Sequence, residues 1–263
     1  MSTSVNPLWR FRGVAGTAWF AIVYLYLPIL ILIVLSFNAN KVATIWSGFS
    51  LQWYSVVLDN PNIMRAAKNS LIIASCATVV STVFATLAAL AMSGQKFRGQ
   101  SLINAMLGLP LLAPEIVTAV ASLLFFLAIG MELGLLSVLI AHVVFCIPFA
   151  YMPIRARLEG MDPRYKEAAS DLYATPWATF WRITLPLLMP GVVSGAMLAF
   201  IISLDDFVIT FFVAGAGATT LPVYIFGMIR MGITPEVNAI SAMMLLVSIL
   251  FVILSWLVGR VRQ

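Results

Sequence analysis

Histidine occurs once in this 263-residue chain, cysteine twice, and charged residues make up only 10% of it. Each shortage excludes a chemistry. A membrane zinc protease needs an H-E-x-x-H pair of ligands, and a single histidine cannot supply them. A membrane serine protease needs G-x-S-G with a partner histidine, whereas Ser194 is preceded by Val192 and Val193. No G-x-x-x-x-G-K-S/T stretch is present to cradle nucleotide phosphates, so any ATP hydrolysis must come from another polypeptide. Cys76 and Cys146 sit inside apolar runs at no metal-ligand spacing and read as small apolar fillers. The chain is therefore expected to be no enzyme and to hold no metal and no cofactor of its own.

Oil is what it has instead. Hydrophobic residues reach 62% and the mean hydropathy is +1.03, far outside the range of ordinary soluble domains. A hydrocarbon layer about 30 Å thick takes about 20 apolar residues of helix, which rises about 1.5 Å per residue. Six segments meet that requirement: 14–37, 70–92, 102–129, 133–153, 187–214 and 239–258. The runs are too long, and their alternation too weak, for a β-barrel. The expected class is a single all-α domain spanning residues 1–263 and embedded in the lipid bilayer.

The first run follows Arg10 and Arg12, but it is about twice a signal-peptide core in length and no small-x-small site follows it, so it reads as a retained span. Lysine and arginine then set orientation. With the N-terminus inside, Arg10, Arg12, Lys96, Arg98, Arg155, Arg157, Arg164, Lys166, Arg182, Arg260 and Arg262 fall on cytoplasmic flanks, and only Lys41, Arg65, Lys68 and Arg230 fall outside. Both termini are expected in the cytoplasm. The net charge of +5 follows from this topology and is not a nucleic-acid signal.

The longest inner loop, 154–186, holds the stretch EAASDLYATPWATFWRITLP from Glu167 to Pro186. Leu172, Trp177, Phe180 and Trp181 recur at roughly helical spacing, opposite Lys166, Glu167, Ser170, Asp171 and Thr175, which describes a short amphipathic helix. Such a helix either lies on lipid or docks into a protein groove.

Glu167-Ala168-Ala169, then Ile183, then Leu185-Pro186 resemble the EAA loop of bacterial ABC-importer permeases. The resemblance implies a six-span type I permease (MetI-like) fold in the bacterial inner membrane. It also implies a coupling helix seated in a separate ATPase subunit, with Glu167, Ala168, Ala169, Asp171, Tyr173, Ile183, Leu185 and Pro186 as the coupling residues. Tyr173 stands where the family has glycine; an ordinary right-handed conformation or a more open turn is expected there. The stretches LQWYSVVLDN (51–60), NSLIIASCATVVSTVFATLAALAM (69–92), AHVVFCIPFAYMPIRARLEGMDP (141–163), SLDDFVITFFVAGAGATTLP (203–222) and PEVNAISAMM (235–244) look like the second permease subunit of spermidine/putrescine importers. SLDD with GATTLP resembles the putrescine-type branch in particular, and related permeases carry opines and aminophosphonates. The implied partners are a homologous second permease, two copies of an ABC ATPase that bind the ATP and Mg, and a periplasmic or extracellular binding protein. A self-contained secondary transporter is disfavoured, since no inverted repeat is evident.

Ionisable groups at bilayer depth cost about 2.5–3.5 kcal/mol each on insertion scales and so invite explanation. Glu115 falls about 20 Å into the third run counted from the cytoplasm, and Asp205 and Asp206 about 27–29 Å into the fifth. Carboxylates there attract ammonium groups and repel anions, so a small cationic solute is expected. Asp205 and Asp206 would point about 100° apart on a helix, so only one can face a path squarely. Prolines 110 and 114 make a helix break at Glu115 expected. His142 reads as a hydrogen-bonded packing residue. Gly191 and Gly195, with Ala74, Ala77, Ser81, Ala85, Ala88 and Ala89, suit close helix packing, within the chain or at a subunit seam. Trp46, Trp53 and Tyr54 in the 38–69 loop suit an outer interface, and Tyr224, Phe226 and Arg230 in the 215–238 loop are placed near the mouth of a path.

Overall fold

The computed structural model describes residues 12–42, 45–93, 97–232 and 234–260. Arg10, Lys96 and Arg262, which the sequence assigns to the inner flank, lie outside the described residues. The fold is helical throughout: α1 (Arg12–Ser36), α2 (Gln52–Asp59), α3 (Pro61–Met92), α4 (Gln100–Leu112), α5 (Glu115–Ala128), α6 (Leu135–Glu159), α7 (Arg164–Asp171), α8 (Pro176–Thr179), a π-helical turn (Phe180–Thr184), α9 (Leu185–Asp205), α10 (Val208–Val213), α11 (Leu221–Met231) and α12 (Pro235–Arg260). A bilayer leaves no water for backbone N–H and C=O groups, and helices satisfy these groups within their own segment.

Among the described residues, five helical stretches are long and apolar enough to cross a membrane, and the pair α4–α5 makes a sixth if its 112° bend is counted as one span. The third run, 102–129, is thus broken beside Glu115, where its prolines led a break to be expected. Ala113 is extended (ψ 139°), as the residue before a proline must be, and Pro114 opens α5. The fifth run, expected over 187–214, also breaks: α9 stops at Asp205, Asp206 is extended (φ −61°, ψ 125°), and α10 restarts at Val208. Depths counted along unbroken helices therefore do not apply to Glu115 or beyond Asp205, and the 100° separation of the two aspartates does not hold. Helix α3 begins at Pro61, ahead of its apolar run, so 61–69 is helix and not loop. The 215–238 segment likewise carries α11.

The chain forms two units, one comprising the chain up to Asn60 with Gly227–Leu246, the other Pro61–Phe226 with the chain from Val247. In the first, α1 is apolar and exposed over 13–31, so lipid or another subunit must surround it. Asn38 organises the turn that follows. Its amide Nδ2 donates to the Ile45 carbonyl (2.7 Å), its Oδ1 accepts from Asn40 and Ser47 N–H (both 3.1 Å), and its carbonyl accepts from Trp53 Nε1 (2.8 Å). Tyr54 hydroxyl meets Ser36 Oγ at 2.7 Å. Trp53 and Tyr54 thus pack into this turn, and Trp46 is the one of the three that is exposed.

The second unit is built on α3, α6 and α9, and its seams are lined with small side chains. Ala74, Ala77, Ser81, Ala85 and Ala89 of α3 are buried, as are Cys146 and Ala150 of α6 and Ala199 of α9. Cys146 is the filler expected; Cys76 is exposed. Gly191 and Gly195 of α9 press on α6: a Cβ at Gly191 would stand 2.6 Å from Arg157 Cβ, and one at Gly195 2.6 Å from the Ala150 carbonyl oxygen. The glycine pair is therefore spent on a seam inside the chain. Within a bilayer, where lipid is as apolar as leucine, such close backbone approach is the source of helix adhesion.

Gly195→Ala is expected to lower the thermal stability of the purified protein by about 1–3 kcal/mol, the usual range for overpacking. Gly108→Ala, where a Cβ meets open space, should stabilise α4 slightly or do nothing. Melting temperatures of the two variants side by side test the seam.

Candidate functional site

Two helix breaks bring the acidic residues together. Asp206 is buried, and its carboxylate serves the start of α10: Oδ1 accepts from Ile209 N–H (3.2 Å), and Oδ2 from Thr210 N–H and Thr210 Oγ1 (both 2.9 Å). These bonds satisfy N–H groups that a helix start leaves without partners. His142 Nε2 stands 3.0 Å from the same Oδ2, and its Nδ1 is 2.8 Å from Ser203 Oγ. A buried charge with several donors is tolerable where an unpaired one is not. Asp205, one residue earlier, is exposed on the surface of this chain.

Glu115 is the first residue of α5, in the first turn, where a negative charge is favoured by the helix dipole. It is exposed, yet its carboxyl lies close enough to Asp206 for the two groups to act on each other. Two carboxyl groups this close repel each other unless a proton or a cation lies between them. Phe207, immediately after Asp206, packs its ring against Phe226 at 4.6 Å, and Phe211 meets Phe226 at 6.1 Å. The structure thus gathers Glu115, Asp206 and an aromatic wall that includes Phe226 around one break. Tyr224 lines a separate recess of about 140 Å³ with Asn62, Arg65, Ala66, Asn69, Gly217 and Thr219. Arg230 lies in the last turn of α11, at the end of the helix dipole that favours a cation. Sequence reasoning did not name Ser203 or Thr210. Thr210 stands at capping distance from Asp206, whereas Ser203 meets only His142, and no proline or glycine marks the break they sit on.

The loop from Arg164 to Pro186 is not one amphipathic helix but two helical pieces set on either side of a reversal. Helix α7 carries Glu167 in its first turn, with Ala168 exposed, Ala169 buried and Asp171 at its last position. It ends in a two-bond cap: Ala174 N–H donates to the Ala169 carbonyl (3.0 Å) and Tyr173 N–H to the Ser170 carbonyl (2.9 Å). That pattern needs a left-handed residue at the first position past the cap, and Tyr173 supplies it with φ 55°. The right-handed or opened geometry expected of a tyrosine is corrected: the glycine conformation persists without the glycine, because the cap bonds outweigh the strain. Thr175 then caps α8, its Oγ1 accepting from Ala178 N–H at 3.3 Å, with Pro176 opening the helix.

Leu185 N–H bonds back to the Phe180 carbonyl, one residue further than in an α-helix, just before Pro186, which has no N–H to donate. Ile183 is half-buried in this turn. Leu172, Tyr173, Trp177 and Trp181 are 81%, 95%, 71% and 50% exposed. Trp177 and Trp181 stack edge to face at 5.6 Å. A cluster of exposed aromatic residues of this kind marks an interaction surface.

A bundle of apolar helices with carboxylates at its breaks and an exposed aromatic loop outside the bundle is the architecture of a transporter's membrane subunit. The chain belongs to the family of binding-protein-dependent transport system inner membrane components, which it matches over residues 81–263. It is a multi-pass inner-membrane protein. Over 249 residues it is 40% identical to the spermidine/putrescine transport system permease protein PotC of Escherichia coli (strain K12), covering 95% of this chain and 94% of that protein. Over 229 residues it is 41% identical to the putrescine transport system permease protein PotI of the same organism, covering 84% and 82%. Among solved structures, a bacterial ABC transporter that imports the acidic polysaccharide alginate superposes with a TM-score of 0.70 at 18% identity, over 99% of this chain and 98% of that one. The MetNI methionine ABC transporter gives 0.66 at 18% identity over 76% and 95%. The expected all-α type I permease fold is the observed one.

Left-handed backbone costs a non-glycine residue about 1–2 kcal/mol, part of which glycine returns as lost chain entropy. Tyr173→Gly is therefore expected to tighten the reversal by up to about 1 kcal/mol, and the β-branched Tyr173→Val to loosen it by at least as much. Hydrogen exchange at the Ala174 amide, which closes the cap, should slow in the first variant and quicken in the second.

Proposed function

We propose that this chain is the membrane-spanning permease subunit of an ATP-driven importer and forms half of the translocation path for a polyamine, putrescine or spermidine. The observation that carries the cargo class is the exposure of Asp205 and Glu115 at two helix breaks within otherwise apolar stretches. A carboxylate at such a place is expensive unless it has a task, and an ammonium group stripped of water is the partner that repays it. The relatives named for spermidine and putrescine transport support the same cargo. A second, homologous permease would supply the other wall of the path. An external binding protein would deliver the amine.

Energy enters at the aromatic loop, which we assign to docking on one of two ATPase copies. From Pro176 to Asp205 the chain is one helical stretch of 30 residues, about 45 Å long at helical rise. It begins beside the exposed loop and ends at the acidic break, so displacement of one end moves the other. Both termini lie in the cytoplasm in this scheme, as the distribution of lysine and arginine supports.

Two substitutions test the scheme in the complete transporter reconstituted in vesicles. Asp205→Asn keeps shape and hydrogen bonding but removes the charge, and it is expected to reduce uptake of labelled putrescine by about tenfold or more, while the complex still assembles. Glu167→Lys places a cation at the start of α7 and is expected to leave ATP hydrolysis in place while uptake falls, because dipole and docking rim both favour an acid there. Normal putrescine uptake by the Asp205→Asn transporter would remove Asp205 from the path, and normal uptake by the Glu167→Lys transporter would remove Glu167 from coupling.

A further inference from the structure

Among the described residues His142 has polar partners on both sides of the α9–α10 break. It lies on α6, is 1% exposed, and projects into the seam between α6 and the two pieces of the broken span. Its Nδ1 meets Ser203 Oγ at 2.8 Å, two residues before the end of α9. Its Nε2 meets Thr210 Oγ1 at 2.9 Å and Asp206 Oδ2 at 3.0 Å, beyond that end. A carboxylate only accepts, so the Nε2 edge carries the proton of that contact. The surroundings are otherwise dry: Ile209 and Val213 are fully buried, and Cys146, one turn along α6, is too.

Among the described residues, Asp205 has no such support of its own. Its direction follows from where α9 stops and how Asp206 turns the chain, because only Asp206 and Phe207 separate α9 from α10. Asp206 in turn is held by two kinds of donor. Ile209 and Thr210 belong to α10, which is anchored to α6 at its far end, where Ser137 Oγ donates to the Val213 carbonyl (2.8 Å), so at the break end they fix the carboxylate to α10 alone. His142 is the donor from another helix that holds the carboxylate at the break end and ties it across to Ser203 of α9.

We infer that His142 is a positioning residue for the amine path, clamping the break after Asp205 so that the Asp205 carboxylate is presented in one direction to an ammonium group. The inference rests on the polyamine path proposed above. Without the ring, Asp206 keeps its bonds to α10 but loses its direct bond to α6, and the break end of α10 gains freedom to pivot about the end that Ser137 holds. Asp205 then samples several directions, and each amine that binds must first select the competent one, which weakens apparent affinity by the fraction lost.

The test compares Ala, Gln and Asn at position 142 in the complete transporter, reading the KM and maximal rate of labelled putrescine uptake into vesicles. The amide nitrogen of glutamine reaches the place of Nε2, whereas that of asparagine stops at the place of Nδ1. His142→Ala and His142→Asn are expected to raise KM by about tenfold or more, the scale of one lost charge-assisted hydrogen bond, with a smaller change in maximal rate. His142→Gln is expected to stay within about threefold of the parent, and this rescue is what a simple packing role would not produce. An unchanged KM in assembled His142→Ala overturns the inference, as does glutamine behaving no better than asparagine, or failure of all three variants to assemble, which would make His142 a folding residue only. Should the parent transporter itself take up no putrescine or spermidine, the proposed cargo fails instead, and the two failures are thereby told apart.

Discussion

The structure depends on the requirement that no backbone polar group go unpaired where water is absent. An unbroken helix meets this requirement automatically, and a broken one does not. Each break exposes N–H groups at the start of the next piece, and a partner must be found within the protein. At the break after α9 that partner is the Asp206 carboxylate, which accepts from Ile209 and Thr210 N–H. Introducing an acid to satisfy the backbone creates a second debt, a charge at low dielectric, and His142 and the Thr210 hydroxyl answer it. A chain with one histidine has placed it where it serves this need.

The same requirement explains why the seams around the breaks are so tight. Hydrophobic burial contributes little between helices surrounded by lipid, so the position of α9 against α6 rests on contact between backbones. Gly191 and Gly195 leave no room for a methyl group against Arg157 and the Ala150 carbonyl oxygen. Arg157 Nε also donates to the Leu187 carbonyl at 2.9 Å, stitching the two helices beside the glycines. A rod seated this closely transmits displacement along its length and resists bending sideways. That property suits a helix that starts beside an exposed aromatic loop and ends at an acidic break.

Much of this was legible in the sequence, and the failures have physical causes. Hydropathy located the apolar runs, but it measures oil and not helix, so it missed the polar turns 61–69 of α3 and placed α11 in a loop. The break at Ala113–Pro114 was visible because proline acts locally. The break at Asp206 was not, because its cause is a hydrogen-bond network that includes a residue on another helix. Tyr173 failed for a related reason. Residue type argued for ordinary backbone, whereas two cap bonds at the end of α7 impose the left-handed conformation whatever side chain is present. Local rules of sequence held where the cause was local.

Asp205 and Asp206 show how adjacent identical residues divide labour. In an unbroken helix both would project from one cylinder, and each would carry a partial claim to a path and to structure. The break resolves the ambiguity. Once the chain turns at Asp206, one carboxylate is directed inward to cap α10 and the other is left on the surface of the chain. The inward charge makes the break stable, and the break makes the outward charge available. Glu115, at the start of α5 and close to Asp206, stands on the other broken span in the same relation, its position likewise set by a helix that had to begin again. Charge is thus admitted to this apolar protein at the points where helices fail, because those are the points where the backbone itself requires a polar partner.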